Sequence, residues 1–409
     1  MQTITLDSPV PAEHQPEVLR QLRWLAVGAE DAAFDTADGR ILRFRLSRTT
    51  VTSEAAEIHS AIARLAATCR AAPSKTVYET GYVANGGEGD AYRELVRRGW
   101  VVPGAAGTHI YAGGMSELYH ALDAEFRRRA LALGVQECKF PSLIDTGTLL
   151  QAGYFDSFAH HANLVCHLPE HADAVRKFRD AVGSARPDQS GVELTHLLQC
   201  DCSASPTVCY HFYRLNEGCT LYNPVRGATA LSPCYRFEGD ATSGLHRLRE
   251  FNMREIIFIG DPEAIAERRE TLLDCMKGLL DQCGLAARMQ TASDPFFVDD
   301  SDRKRLFQMS FDLKHEAQAH LPGHDEWLAI GSINLHLDHF GRLFGIKTAD
   351  GRVAHSCCLG FGLDRWCLAI FEQHGLSEHA WPAGLQTIVR RYGMDCTELQ
   401  SKEVMPCQR

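Results

Sequence analysis

Apolar residues recur every three or four positions through long stretches of this chain and alternate with polar ones through several shorter runs. Ser116 to Gly134 puts Leu118, Leu122, Phe126, Ala130 and Leu133 on one face, which predicts a helix with Ser116 as its cap. Pro262 to Cys283 predicts a second long amphipathic helix, stopped by Gly284. Leu363 to Gly375 predicts a buried one, and shorter helices are expected at Tyr92, at 54–69, at 172–182 and at 301–311. Alternation or β-rich composition predicts strands at 41–51, 136–140, 207–213, 313–320, 327–334, 342–347 and 353–362. Residues 149–167 read as loop-rich.

The run from Cys234 to Gly260 (CYRFEGDATSGLHRLREFNMREIIFIG) reads as a long antiparallel hairpin. Two apolar-rich arms flank a loop holding Gly239, Asp240, Ser243 and Gly244. Many antiparallel strands with helices covering them define an α+β fold. Residues 1–78 are expected to form a small α+β extension, with a linker at 71–75, and residues 79–409 the main domain.

Composition narrows the function classes. At 409 residues, 45% apolar and 23% charged, the chain has the make-up of a globular protein with ample core. No run of 18 apolar residues is present, so no membrane span is expected, and the first residues lack a secretory pattern; a cytoplasmic protein is expected. The net charge of −10 disfavours a broad nucleic-acid surface. Fifteen cysteines with no repeated CxxC pair exclude a zinc ribbon, and in a reducing compartment most are expected to be small core residues.

The hairpin carries the candidate chemistry. Arg236 and Glu238 share a face of the first arm; Arg247, Phe251 and Glu255, four apart, return to one face of the second. Arginines match phosphate with two-pronged donors, an aromatic ring can stack on a base, and a carboxylate can take adenine's amino hydrogens or hold a metal. These are the parts of an ATP site built on a sheet, without a glycine-rich phosphate loop. The competing reading is an exposed hairpin with solvated charges. Cys209, Glu255 and Cys358 would give zinc two thiolates and a carboxylate with a fourth position open. By spacing alone these cysteines read rather as buried core residues.

Arg236-Phe237-Glu238, the loop, and Arg247-Leu248-Arg249-Glu250-Phe251 with Glu255 resemble motif 2 of class II aminoacyl-tRNA synthetases. The helix from Ser116 with the strand closing at Pro141 resembles their motif 1, a dimer element. Gly360-Phe361-Gly362-Leu363-Asp364-Arg365 resembles motif 3. Within the class, the strings 294–297 (DPFF), 313–316 (LKHE), 332–340 (SINLHLDHF) and 355–362 (HSCCLGFG) are similar to the zinc-dependent seryl-tRNA synthetases of methanogens. They are more similar still to the truncated amino acid:[carrier protein] ligases.

That resemblance implies a class II antiparallel sheet and a homodimer. It implies activation of a small amino acid, glycine or alanine, by ATP, then transfer to the phosphopantetheine thiol of a carrier protein. Zinc would be held by Cys209, Glu255 and Cys358, with Cys357 as the adjacent alternative, and would take the substrate amine. Arg236 would meet the α-phosphate, Glu238 the adenine end, Phe251 the base and Arg365 the γ-phosphate; Arg247, Leu248, Ala329 and Ser332 would add ATP contacts. Mg2+ would accompany ATP, but Leu328 and Ala329 stand where synthetases place an acid, leaving Glu316, Glu326 or Asp338 for the role. Aminoacylation of tRNA is the alternative, disfavoured by the negative charge and by the lack of a basic, heptad-rich N-terminal arm. Arg303, Lys304 and Arg305, or the run Arg127 to Arg129, are the candidates for docking an acidic carrier protein.

Overall fold

The computed structural model describes residues 2–6, 9–10, 15, 18–19, 29–35, 39–46, 74–84, 90–183, 199–237, 244–292 and 312–393. The helices expected at 54–69 and 301–311, the string 294–297, Glu238 and Arg303 to Arg305 lie outside the described residues. The chain divides into two compact units, one of residues 1–75 with 293–311, the other of 76–292 with 312–409.

In the first unit, β1 (Gln2–Thr5), β2 (Ala29–Phe34) and β3 (Ile41–Leu46) form an antiparallel sheet in the order β1-β3-β2. Strict alternation sends Leu42 and Phe44 inward to join Ile4, while Arg43 points out and pairs with Asp35 at 2.6 Å.

The second unit begins with β4 (Thr76–Glu79), α1 (Ala91–Arg97), β5 (Val101–Pro103) and β6 (His109–Tyr111). Then come α2 (Gly113–Ala132), β7 (Gln136–Glu137), β8 (Leu143–Asp145), α3 (Thr146–Gln151), α4 (Phe155–Phe158), β9 (Asn163–His167) and α5 (Ala172–Gly183). β10 (Gln199–Ala204), α6 (Cys209–Leu215) and β11 (Thr220–Leu221) lead into the hairpin arms β12 (Val225–Tyr235) and β13 (Glu250–Gly260). The remainder is α7 (Pro262–Gln282), β14 (Ala287–Thr291), β15 (Lys314–Leu321), β16 (Glu326–Leu337), α8 (His339–Leu343), β17 (Lys347–Thr348), β18 (His355–Gly362), α9 (Leu363–His374) and α10 (Ala383–Arg391).

Eight strands make the central sheet, in the order β4-β14-β15-β16-β18-β13-β12-β7, antiparallel except where β12 meets β7. Its two faces do different things. On β13 and β18, Ile256, Phe258, Cys357, Leu359 and Phe361 face the long helices α2, α7 and α9, in one large apolar layer with Trp366, Met276 and Phe126. Their neighbours Ile257, Ile259 and Cys358 face the other way, against Cys209, Tyr213, Phe340 and Phe344 of α6 and α8. Glycine keeps the centre thin. A Cβ on Gly331 would lie 2.7 Å from the Gly360 carbonyl oxygen and 2.7 Å from the Met276 methyl, and one on Gly360 would lie 2.9 Å from the Met253 sulfur.

Several expected elements change here. α2 starts at Gly113 rather than Ser116: Ala112 is the cap position, and Gly113 and Gly114 let the turn close on Trp100. Of residues 207–213, those from Cys209 on are helical, not extended; the apolar run is short, and its buried Tyr210 and Tyr213 serve a helix as readily as a strand. Residues 342–347 split between α8 and the two-residue β17. The stretch 149–167 holds α3, α4 and β9.

The Arg127 to Arg129 run is spent internally. Glu125, with a fully buried side chain, accepts from Arg128, Arg129, Arg391 and the Tyr392 hydroxyl, and Arg127 pairs with Glu137. Burial pushes the Glu125 carboxyl up, but the Arg128 and Arg129 hydrogen bonds outweigh it and hold it at about 2, against an ordinary 4.5. A depressed carboxylate stabilises the fold above its unfolded value, so this contribution is full above about pH 4.5 and lost as pH falls toward 2. Glu125→Ala would strand three arginines around a buried hole and is expected to lower stability by about 3 kcal/mol in urea unfolding at neutral pH. A change under about 0.5 kcal/mol would mean the cluster is solvated rather than structural.

Candidate active site

The hairpin register runs without a break from Val225 opposite Gly260 to Tyr235 opposite Glu250. β18 adds to the other side of β13, with Glu255 opposite Gly360 and Ile257 opposite Cys358. Side chains two apart along a strand share a face, and so do register partners. Glu255 and Cys358 therefore project from the same side of the sheet. α6 lies over that side and brings Cys209 down from its first turn.

The three side chains meet in a fully buried spot. Thr207 Oγ1 donates to Glu255 Oε1 at 2.7 Å, and the Val208 amide donates to the same oxygen at 3.3 Å. Glu255 Oε2 is buried without a hydrogen-bond partner. Cys209 and Cys358 share a hydrogen bond that, with burial and the nearby carboxylate, lifts the Cys209 thiol well above its ordinary range. For Cys358 that same bond acts downward, but burial and Glu255 outweigh it and leave the thiol raised. Burial likewise raises the Glu255 carboxyl, only partly offset by Thr207 and Val208. Without a cation, then, the cluster favours its neutral forms.

The donor chemistry suits a zinc ion: two thiols, one carboxylate, and a buried oxygen that nothing else satisfies. The spacing does not yet enclose one. Among the described residues, no three His, Cys, Asp or Glu side chains are grouped so as to hold a metal. Cys357 takes no part: it faces the helices, fully buried, with its thiol 3.8 Å from the Ile265 carbonyl oxygen.

A second ring of polar residues surrounds the three. Asn334 Nδ2 lies 3.7 Å from Cys358 Sγ and donates to Ser332 Oγ at 3.1 Å. His336 Nε2 is 3.8 Å from Cys358 Sγ, while its Nδ1 meets the Ser356 and Tyr213 hydroxyls at 3.1 and 3.2 Å. Thr207, Asn334 and His336 were not singled out from the sequence. The signal was present for two of them: Ser332, Asn334 and His336 occupy alternate positions of one strand, hence one face.

Of the residues expected at a nucleotide, Arg236 borders this cluster. Arg236 is half-buried, its Nε 3.3 Å from the Pro206 carbonyl oxygen and its guanidinium carbon 5.2 Å from the centre of the Phe251 ring. Its charge reaches Glu255 and Cys234. Arg365 Nη1 donates to the Ala329 carbonyl at 3.0 Å, so the structure joins those two positions directly. Asp364, next in the chain, accepts from the Asn252 amide at 2.8 Å and the Tyr111 hydroxyl at 2.6 Å, pinning the start of α9 to β13. Arg247 is half-buried just before β13, and the Leu248 side chain is in the core, which leaves only its backbone for a ligand. Of the acids considered for magnesium, Glu316 sits opposite Ser332 and pairs with Lys314 at 3.1 Å. Glu326 pairs with His246, and Asp338 pairs with Arg342.

Comparison with known proteins fits this arrangement. Residues 206–374 match the family described as tRNA synthetase class II core domain (G, H, P, S and T). Amino acid–[acyl-carrier-protein] ligase 1 of Bradyrhizobium diazoefficiens is 33% identical over 258 residues, 63% of this chain and 77% of that protein. Ligase 2 of the same organism is 31% identical over 61% of this chain and 73% of its own length. The type-2 serine–tRNA ligase of Methanopyrus kandleri is 29% identical over 78% of this chain, which spans 64% of that longer protein. The crystal structure of M. kandleri SerRS in complex with A. aeolicus tRNASec has the same fold. Its TM-score is 0.68 at 23% identity, covering 96% of this chain and 78% of that one. No helix among the described residues is long and apolar enough to cross a membrane. On the strength of the match to ligase 1, the chain belongs to the amino acid–[acyl-carrier-protein] ligases, built on the class II tRNA synthetase core.

Proposed function

We propose that this protein uses ATP to activate a small amino acid, glycine or alanine, as its aminoacyl-adenylate, and passes it to the phosphopantetheine thiol of a carrier protein. The observation that carries the reading is the convergence of Cys209, Glu255 and Cys358 on one buried spot beside Arg236. Amine capture and phosphate neutralisation would then be neighbours.

In the first step a carboxylate oxygen of the amino acid attacks the α-phosphorus, and pyrophosphate leaves. Arg236 would neutralise charge at that phosphorus and Arg365 charge at the departing end, which is positioning plus electrostatics rather than acid–base chemistry. Phe251 would stack on the base, exchanging its present contact with the Arg236 guanidinium for one with adenine. Glu238, Arg247, Leu248, Ala329 and Ser332 would complete the nucleotide contacts, Leu248 through its backbone. Asp364 would hold Arg365 in place by fixing the first turn of α9. In the second step the thiolate of the carrier's arm attacks the acyl carbon and AMP leaves, giving a thioester.

Cys209, Glu255 and Cys358 would hold zinc, which when bound supplies a Lewis-acid template for the substrate amine. Holding it requires these side chains to draw together from the arrangement described above and to lose their protons. Zinc uptake is therefore expected to strengthen as pH rises. Glu316, Glu326 or Asp338 would serve Mg2+ with ATP. The protein would work in the cytoplasm as a homodimer through α2, with Arg303, Lys304 and Arg305 as the candidate contacts for the carrier.

The test is ATP–pyrophosphate exchange across the twenty amino acids, followed by acceptor assays with phosphopantetheinylated carrier protein and with tRNA. Exchange dependent on glycine or alanine, with label moving to the carrier alone, is the expected result. Label moving to tRNA would replace the second half of the reading, and no exchange with any amino acid would overturn it.

A further inference from the structure

We propose that Cys166 and Cys200 are the partners of a reversible cross-strand disulfide, formed by exchange with a low-molecular-weight disulfide. The two residues are register partners in the antiparallel pair β9–β10. Such partners have Cα atoms about 4.5–5.5 Å apart and side chains on one face, inside the range a disulfide spans. Both thiols are exposed, unlike Cys209 and Cys358, so a small disulfide can reach them. They already sense each other: burial first, then the charge and hydrogen bonding of Cys166, push the Cys200 thiol up.

Geometry selects the pair from among nearby cysteines. Cys202 is the third thiol of the cluster, but the register shifts between Cys200 and Cys202, and Cys202 lies opposite Val165 instead. Pairing resumes past the bulge, with Gln199 opposite His167 beyond Cys200 and Cys166. Toward the other end the strands are well tied, with Ser203 Oγ donating to the Asn163 carbonyl at 2.9 Å and Arg249 Nε donating to Asn163 Oδ1 at 2.9 Å. A bond at Cys166–Cys200 would clamp one end of a strand pair whose other end leads, through Ser205 and Thr207, to Cys209.

The chemistry balances as two exchanges. One cysteine thiolate attacks a sulfur of the small disulfide, expelling one thiolate and leaving a mixed disulfide. The second cysteine then attacks the protein sulfur of that mixed bond and expels the other. The two protons lost by the protein are taken up by the two released thiols, and the protein pair is oxidised as the small disulfide is reduced. Since the attacking species is the thiolate and the Cys200 thiol is raised, exchange accelerates as pH increases.

The experiment uses the reduced full chain and oxidised glutathione, with alkylation of remaining thiols and peptide mapping. The expected result is a linked pair of peptides carrying Cys166 and Cys200, reversed by dithiothreitol. It should be absent in Cys166→Ser and Cys200→Ser and kept in Cys202→Ser. The wild-type map alone decides the matter should a variant fold poorly. The proposal is overturned if both thiols stay open to alkylation throughout the titration. It is equally overturned if glutathione stays attached without an internal bond, or if the mapped link joins either residue to another cysteine.

Discussion

Cys358→Ala is expected to abolish both zinc binding and amino-acid activation while leaving the fold intact. Removing the thiol takes away a donor at the centre of the buried cluster, where Cys209 and Asn334 now contact it. Outer partners of metal ligands cost about 10–100-fold when removed, so a direct ligand should cost more than about 100-fold in exchange rate. Metal content by elemental analysis and exchange at saturating ATP are the two readouts. The neighbouring position supplies an internal control. Cys357→Ala opens a small cavity under α7 and should cost stability only, with zinc and exchange retained. Unchanged exchange in Cys358→Ala would remove the metal from the reading while leaving the nucleotide site untouched.

Arg236→Ala carries the second large effect. Among the described residues its side chain meets the Pro206 carbonyl oxygen and the Phe251 ring, so its loss should scarcely alter folding. If the guanidinium meets charge that develops at the α-phosphorus, the maximal exchange rate falls about 100- to 1000-fold, as for other preorganised donors. The amino-acid KM should change little, since the amine end is held elsewhere. A rise in the ATP KM with an unaltered rate would show that Arg236 binds ground state and transition state alike, and the step would need another cation.

The long helices and the second arm of the hairpin were legible because their signals are local. Period and caps mark 262–282, and the apolar run to Gly260 marks the second arm; the first arm lies at Val225–Tyr235, upstream of the expected start at Cys234, so that Arg236 stands just beyond its end. The choice between Cys357 and Cys358 was not legible from spacing, although one residue flips the face. It needed the register with β13, which only pairing sets. Cys209 was named as a candidate but placed on the wrong element. A seven-residue apolar stretch fits both periods, and only its packing over Ile257 and Phe340 decides for helix. The basic run in α2 read as a candidate docking patch because the partners of its cluster are remote: Arg391 and Tyr392 reach Glu125 from the far end of the chain.

Two methionines lie on opposite sides of the thin glycine centre of the sheet, the Met253 sulfur over Gly360 and the Met276 methyl under Gly331. Labelled with 13C at the methyl, they are a built-in pair of observers for nuclear magnetic resonance. Met253 looks onto the ligand side and Met276 onto the helical layer. A titration with nucleotide that moves the first resonance alone would report local occupancy. Movement of both would report that the whole sheet shifts with it.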